Sequence, residues 1–141
     1  MKRKMIRTGA LVLAVAGLFT ASAYASSPSA TLTIRHQMRG CHSWSFNGGA
    51  YEASLHITVV RGTTLKVIDN DVMSHKLIQL SGPKAKLIAP AMKHMSAQAK
   101  AIFIKKGTYR FTTKAGEDYP SMGHMKTIGE DNVLRLTVVV S

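Results

Sequence analysis

Cysteine is almost absent from this chain: Cys41 is the only one in 141 residues. In an exported protein a lone cysteine makes no internal disulfide. Its thiol is then an intermolecular pairing group, an inert buried group or a metal ligand. An idle exposed thiol is a liability in an oxidising compartment, which favours the ligand reading. Acidic residues are also scarce, with 7 Asp and Glu against 19 Lys and Arg. Aromatics make up only 6% of the chain, and no base-stacking motif of the RNA-recognition type is present. The basic residues are scattered rather than clustered, so nucleic acid is not the expected partner. No apolar run reaches the length of a membrane span. A Gly-x-Ser-x-Gly elbow, a His-Glu-x-x-His pair and a Gly-rich phosphate loop are all missing, so no enzyme is expected. Cys41 beside His42 resembles a nucleophile and its base only on paper, because neighbours along a strand point to opposite faces.

What is there begins with an address. Lys2, Arg3, Lys4 and Arg7 precede an apolar run from Gly9 to Phe19, and Ala23-Tyr24-Ala25 follows. This is the pattern of a secretory signal peptide over residues 1–25, cut after Ala25. Residues 26–30 then form a short leader, and 31–141 are long enough for one domain with one core. Loss of the four basic leader residues leaves 15 Lys and Arg, a net charge of about +8. Such a charge favours anionic partners or surfaces. The expected product is a monomeric periplasmic or secreted protein with no membrane span.

The rest reads as strands. TLTIRH (31–36), LHITVV (55–60), TLKVID (64–69) and HKLIQL (75–80) alternate in hydropathy with period two. AKLIAP (85–90), AKAIFI (99–104), TYRFTT (108–113) and VLRLTVVV (133–140) continue the series. Gly48-Gly49, Arg61-Gly62, Asn70-Asp71, Gly82-Pro83 and Lys106-Gly107 punctuate it. About eight short strands so spaced imply an all-β sandwich. Residues 91–100 admit a helical turn, and 114–132 form a loop too long and too rich in chemistry for a linker.

The methionines are placed unusually. Met38, Met73, Met92, Met95, Met122 and Met125 each lie within two residues of a histidine: His36, His75, His94 or His124. Methionine is ordinarily a core filler, yet all six fall outside the expected strand interiors. Thioether, thiolate and imidazole together suit copper, Cu(I) especially, better than magnesium, calcium or manganese. Zinc is served by Cys and His but gains little from Met, and is the lesser candidate. His56, within a strand and with no soft neighbour, reads as a surface histidine.

The run RGTTLKVIDNDVMSHKL (61–77) resembles the cupredoxin pattern, in which a Gly-led strand ends in Asn-x-Asp and a copper-binding histidine follows. GTYRFTT (107–113) resembles the late strand leading to the main copper loop, and VLRLTVVV the closing strand. The resemblance implies a Greek-key β-sandwich of about eight strands with its metal site at one end. It makes His75 the first histidine ligand. It also finds Thr113 where the family carries its cysteine, so the thiolate must come from elsewhere. In such a fold the first strand ends at the same rim as the strand before His75. The connection HQMRGCHSW (36–44), read as a loop, then carries Cys41 and His42 to that rim. The stretch GCHSW and the elements GEDY and GEDN are also similar to a less-described exported cupredoxin-like group.

The implied ligand set is Cys41, His42 and His75, with a further donor among Glu117, Met122, His124 and Met125. His36 with Met38, and His94 with Met95, are candidates for outer copper pairs. Competing readings are a buried Cys41 packed near Trp44, a rim histidine at 42, and Glu117 and Asp118 capping their own loop. Two functions follow for Cu(I)/Cu(II): single-electron transfer with a redox partner, or periplasmic copper handling with a copper-delivery protein. The alternative is a metal-free β-sandwich module that binds anionic surface polymers.

Overall fold

A computed structural model describes residues 26–37, 41–115 and 133–141. The expected signal peptide, Met38 and all but the first two residues of the 114–132 loop lie outside them. The described chain is all-β. Its strands are β1 (Ser29–Gln37), β2 (Cys41–Phe46), β3 (Tyr51–Glu52), β4 (Ser54–Val59), β5 (Thr64–Asn70) and β6 (His75–Ser81). They continue as β7 (Lys86–Ile88), β8 (Ala91–Met92), β9 (Gln98–Ile102), β10 (Gly107–Ala115) and β11 (Arg135–Val140). One sheet has the order β3-β2-β1-β5-β9-β7, and the other β4-β11-β10-β6-β8. From β3 to β10 the chain moves back and forth between the sheets, as a Greek-key sandwich requires. No helix among the described residues is long and apolar enough to cross a membrane.

Alternation drives the layering. In β5, Leu65, Val67 and Asp69 are buried while the intervening residues are more open. Between the sheets lie Leu32, Ile34, Trp44, Val67, Leu77, Leu136 and Val138, none more than 2% exposed. Phe103 meets Tyr109 and Phe111 edge-on, with ring centroids 4.9 and 6.1 Å apart. The Tyr109 hydroxyl donates to the Lys105 carbonyl at 2.5 Å, so its polar end is satisfied.

Register then decides what stands at the rim. β1 runs parallel to β5 and antiparallel to β2. Leu32 is level with Phe46 and Val67, and Ile34 with Trp44 and Asp69. His36 is level with His42. The inner face of this sheet therefore passes from apolar to acidic to imidazole within three rows. The parallel pairing brings the ends of β1 and β5 to one rim, as the sequence implied, and β6 begins there at His75.

Four expectations need correction. The described residues hold eleven strands rather than about eight, β2, β3 and β8 being the additions. HQMRGCHSW is not one loop: β1 reaches Gln37, β2 starts at Cys41, and these two residues are paired. Cys41 and His42 are thus strand residues. Residues 91–100 hold no helical turn, because Ala91–Met92 pair with Lys76 and His75 and a tight turn follows. In that turn the Ala97 amide donates to the His94 carbonyl at 3.0 Å, and Ser96 has a φ of 69°. The methionines do not all avoid the core, since Met92 is fully buried, Met73 half-buried and Met95 exposed.

Gly48 and Gly82 separate conformational strain from crowding. Both have positive φ, +75° and +98°. A Cβ at Gly48 meets nothing, whereas one at Gly82 runs into the backbone of Thr108 and Tyr109. Gly82→Ala is expected to cost about 2 kcal/mol or more, and Gly48→Ala about 1 kcal/mol. Urea denaturation of the two variants checks the order; equal losses would contradict the crowding at Gly82.

Candidate metal centre

Three imidazoles converge on one carboxylate at the rim. Asp71 stands one residue beyond the end of β5 and is fully buried. An ionised carboxylate only accepts hydrogen bonds, so the ring N–H groups are assigned as donors. His42 Nδ1 donates to Asp71 Oδ2 at 2.5 Å, and His75 Nε2 donates to the same oxygen at 2.9 Å. His36 Nδ1 lies 3.6 Å from Asp71 Oδ1, beyond hydrogen-bond range, and is buried without a hydrogen-bond partner among the described residues. The His36 side chain is about a third exposed and is the open edge of the cluster. Ring centroids lie 5.7 Å apart for His36 and His42, and 4.8 Å for His42 and His75.

The loop holding Asp71 is built from its own amides. Asp71 N–H donates to Asp69 Oδ1 at 3.0 Å, and Met73 N–H donates to Asp71 Oδ1 at 3.1 Å. These turns fix the carboxylate before any imidazole reaches it. From β10, the neighbour of β6 in the same sheet, the Thr113 hydroxyl donates to His75 Nδ1 at 3.1 Å. Thr113 thus sits in the site, in contact with the histidine that the family pattern singles out.

Burial alone pushes the Asp71 carboxyl up. The hydrogen bonds from His42, His75 and the Met73 amide outweigh it and hold the group well below the usual carboxylate range. Asp69 goes the other way, because burial dominates and raises its carboxyl. Its Oδ2 has no hydrogen-bond partner among the described residues. The rim therefore holds one firmly ionised carboxylate with a second, less stabilised one behind it.

The donor chemistry fits a transition metal. His36, His42 and Asp71 each offer a ligand atom, and these atoms lie within 4.8 Å of one another. Imidazole suits copper, zinc and iron, while the carboxylate makes the set harder than a thiolate centre. An orphaned buried ring nitrogen on His36 is what such a set leaves when it is organised for something besides hydrogen bonding.

Of the residues singled out from sequence, His42, His75 and His36 are brought together here. Cys41 is placed by its backbone, beside His42 and opposite Gln37. His94 is exposed, and its Nδ1 donates to the Met95 carbonyl at 2.9 Å. Met95 is 52% exposed, on the turn whose Ser96 amide donates to the Asp69 carbonyl. Met38, Glu117, Met122, His124 and Met125 lie outside the described residues. Sequence reasoning missed Asp71 as a site residue and gave His36 only an outer role. For His36 the signal was present in the alternation of β1, where His36 continues the face of Leu32 and Ile34.

No family model and no curated protein matches the chain. Among solved structures it is similar to a purple cupredoxin from Nitrosopumilus maritimus, at 16% identity and a TM-score of 0.46. That match covers 79% of this chain and 99% of the other. An oxidised amicyanin variant is 16% identical with a TM-score of 0.39, covering 77% of this chain and 80% of its own. A rusticyanin variant is 13% identical with a TM-score of 0.40, covering 83% and 79%. The two-sheet fold rests on the strand pairing itself.

Asp71→Ala removes the acceptor shared by two buried rings. The loss expected is about 3 kcal/mol, while Asp71→Asn, which keeps an oxygen acceptor, loses less. Chemical denaturation measures both. A loss under about 1 kcal/mol in the alanine variant contradicts the anchoring role of this carboxylate.

Proposed function

We propose that this chain is an exported, cupredoxin-like protein that holds one copper ion at this rim and passes single electrons through it. The observation that carries the reading is the convergence of His36, His42 and His75 on buried Asp71. Copper supplies the one-electron couple between Cu(II) and Cu(I). His42 and His75 are the preferred nitrogen donors, with His36 and Asp71 completing the set; to hold the ion, His75 would give up its Nε2 bond to Asp71 and keep Nδ1 on Thr113. Cys41 is proposed as the thiolate; as the strand neighbour of His42 it would reach the ion only with the end of β2 turned, because neighbours along a strand face opposite ways. Glu117, Met122, His124 and Met125 remain proposed alternatives for a further donor.

The chain's own contribution is stiffness. β1 and β2 fix His36 and His42 by pairing, and β6 fixes His75 between β8 and β10. The second-sphere contacts are equally local: Thr113 orients His75, and the turn amides orient Asp71. Donors held in this way need little rearrangement when the ion changes charge, which favours electron transfer over copper handling. Handling by exposed His/Met pairs has less support, because the His94 ring is engaged with the Met95 backbone. A metal-free module leaves the three converging histidines without a purpose.

Trp44 provides the readout. It is the only tryptophan, fully buried, and two residues from His42 on the same face of β2. One equivalent of Cu(II) is expected to quench its emission, and Zn(II) is not. His42→Ala and His75→Ala should each weaken Cu(II) binding by about a hundredfold or more. Cys41→Ser tests the thiolate through loss of an intense visible charge-transfer band. Voltammetry of the loaded protein should give a reversible one-electron couple. Affinity within a few-fold of the parent in both histidine variants would sink the site, and release of copper on reduction would favour handling instead.

A further inference from the structure

Beside the metal centre, but outside it, the second sheet carries a pocket with an unusual charge. Lys76 on β6 and Lys114 on β10 are directly opposite in an antiparallel ladder, and both are exposed. Like charges so placed repel. Ala91 is the partner of Lys76 on its other side, and Lys93 follows two residues later, also exposed. These three lysines line a single pocket of about 190 Å³, together with Ser74, Ala91 and Met92. No carboxylate is among its lining residues within the described chain. Glu52, Asp69 and Asp71 are the only acids among the described residues, and the last two are buried at the rim.

We propose that this pocket binds a small oxyanion, such as a phosphate or a compact carboxylate, between the ammonium groups of Lys76, Lys93 and Lys114. Concavity sets the site apart from general basicity: the volume takes a small oxyanion with a few waters, which a flat face does not. Lys66 and Lys100 are also directly opposite, on the outer face of the other sheet, and neither lines this pocket, so they are a control pair of the same charge. An anion held by three ammonium groups relieves their mutual repulsion and forms charge-assisted hydrogen bonds. The inference does not depend on copper, because His75 contributes only to the wall of the pocket.

The test is a titration of the purified protein with inorganic phosphate at low ionic strength, without added metal, followed by amide NMR shifts. Saturable shifts are expected at residues 74–76, 91–93 and 114–115. The double variant K76Q/K114Q should weaken the apparent affinity about tenfold or more, while K66Q/K100Q leaves it within about twofold. Both variants exchange side chains on the outer faces of the sheets and remove a repulsion, so both are expected to fold. Shifts that never saturate, shifts reproduced by sodium chloride at equal ionic strength, or equal weakening in the two variants would overturn the proposal.

Discussion

Everything at the rim depends on the Asp71 carboxylate. A buried charge without partners costs several kcal/mol, and here that cost is offset by two imidazole donors on one oxygen and a backbone amide on the other. Remove the carboxylate and His42 and His75 lose the acceptor that sets their orientation. Remove either ring and the charge is left partly uncompensated. The three groups come from a β2 position, a loop and the first residue of β6, so they meet only when both sheets have closed. The site is therefore a product of the completed fold and of no single segment.

The sandwich makes that meeting reliable. Parallel pairing of β1 with β5 brings two strand ends to the same rim, and β6 starts where β5 leaves off. Below the histidines, Ile34 and Trp44 seal the inner face, so the cluster rests on packed apolar side chains. Polarity is confined to the last rows, where the backbone is still held by ladder hydrogen bonds. A set of donors on such a frame is preorganised, which is the property that a one-electron centre uses.

Much of this frame was legible. β4, β5, β10 and β11 announce themselves because each has one buried and one open face, and the parallel rim argument correctly brought His42 towards His75. β2 reads as a loop from sequence because Ser43 and Ser45 alternate with His42, Trp44 and Phe46, and small polar residues mimic a turn. Both serines are in fact buried. β3 and β8 are two residues long, too short for any period to show. Asp71 was hidden for a different reason. Its role depends on His42, 29 positions away, and a local pattern carries no trace of that contact. The methionine pattern misled in part, since closeness to a histidine in sequence did not keep Met92 out of the core. Thr113, noticed only for not being cysteine, is a hydrogen-bond partner of His75.

The central claim is that His42 and His75 act together at one ion. It is tested most directly by the histidine side-chain 1H–15N spectrum while Cu(I), which is diamagnetic, is added. The account predicts that the ring signals of His42 and His75 shift together and saturate at one equivalent. Shifts confined to His56, His94 or His124, with the two rim rings unchanged, would contradict it.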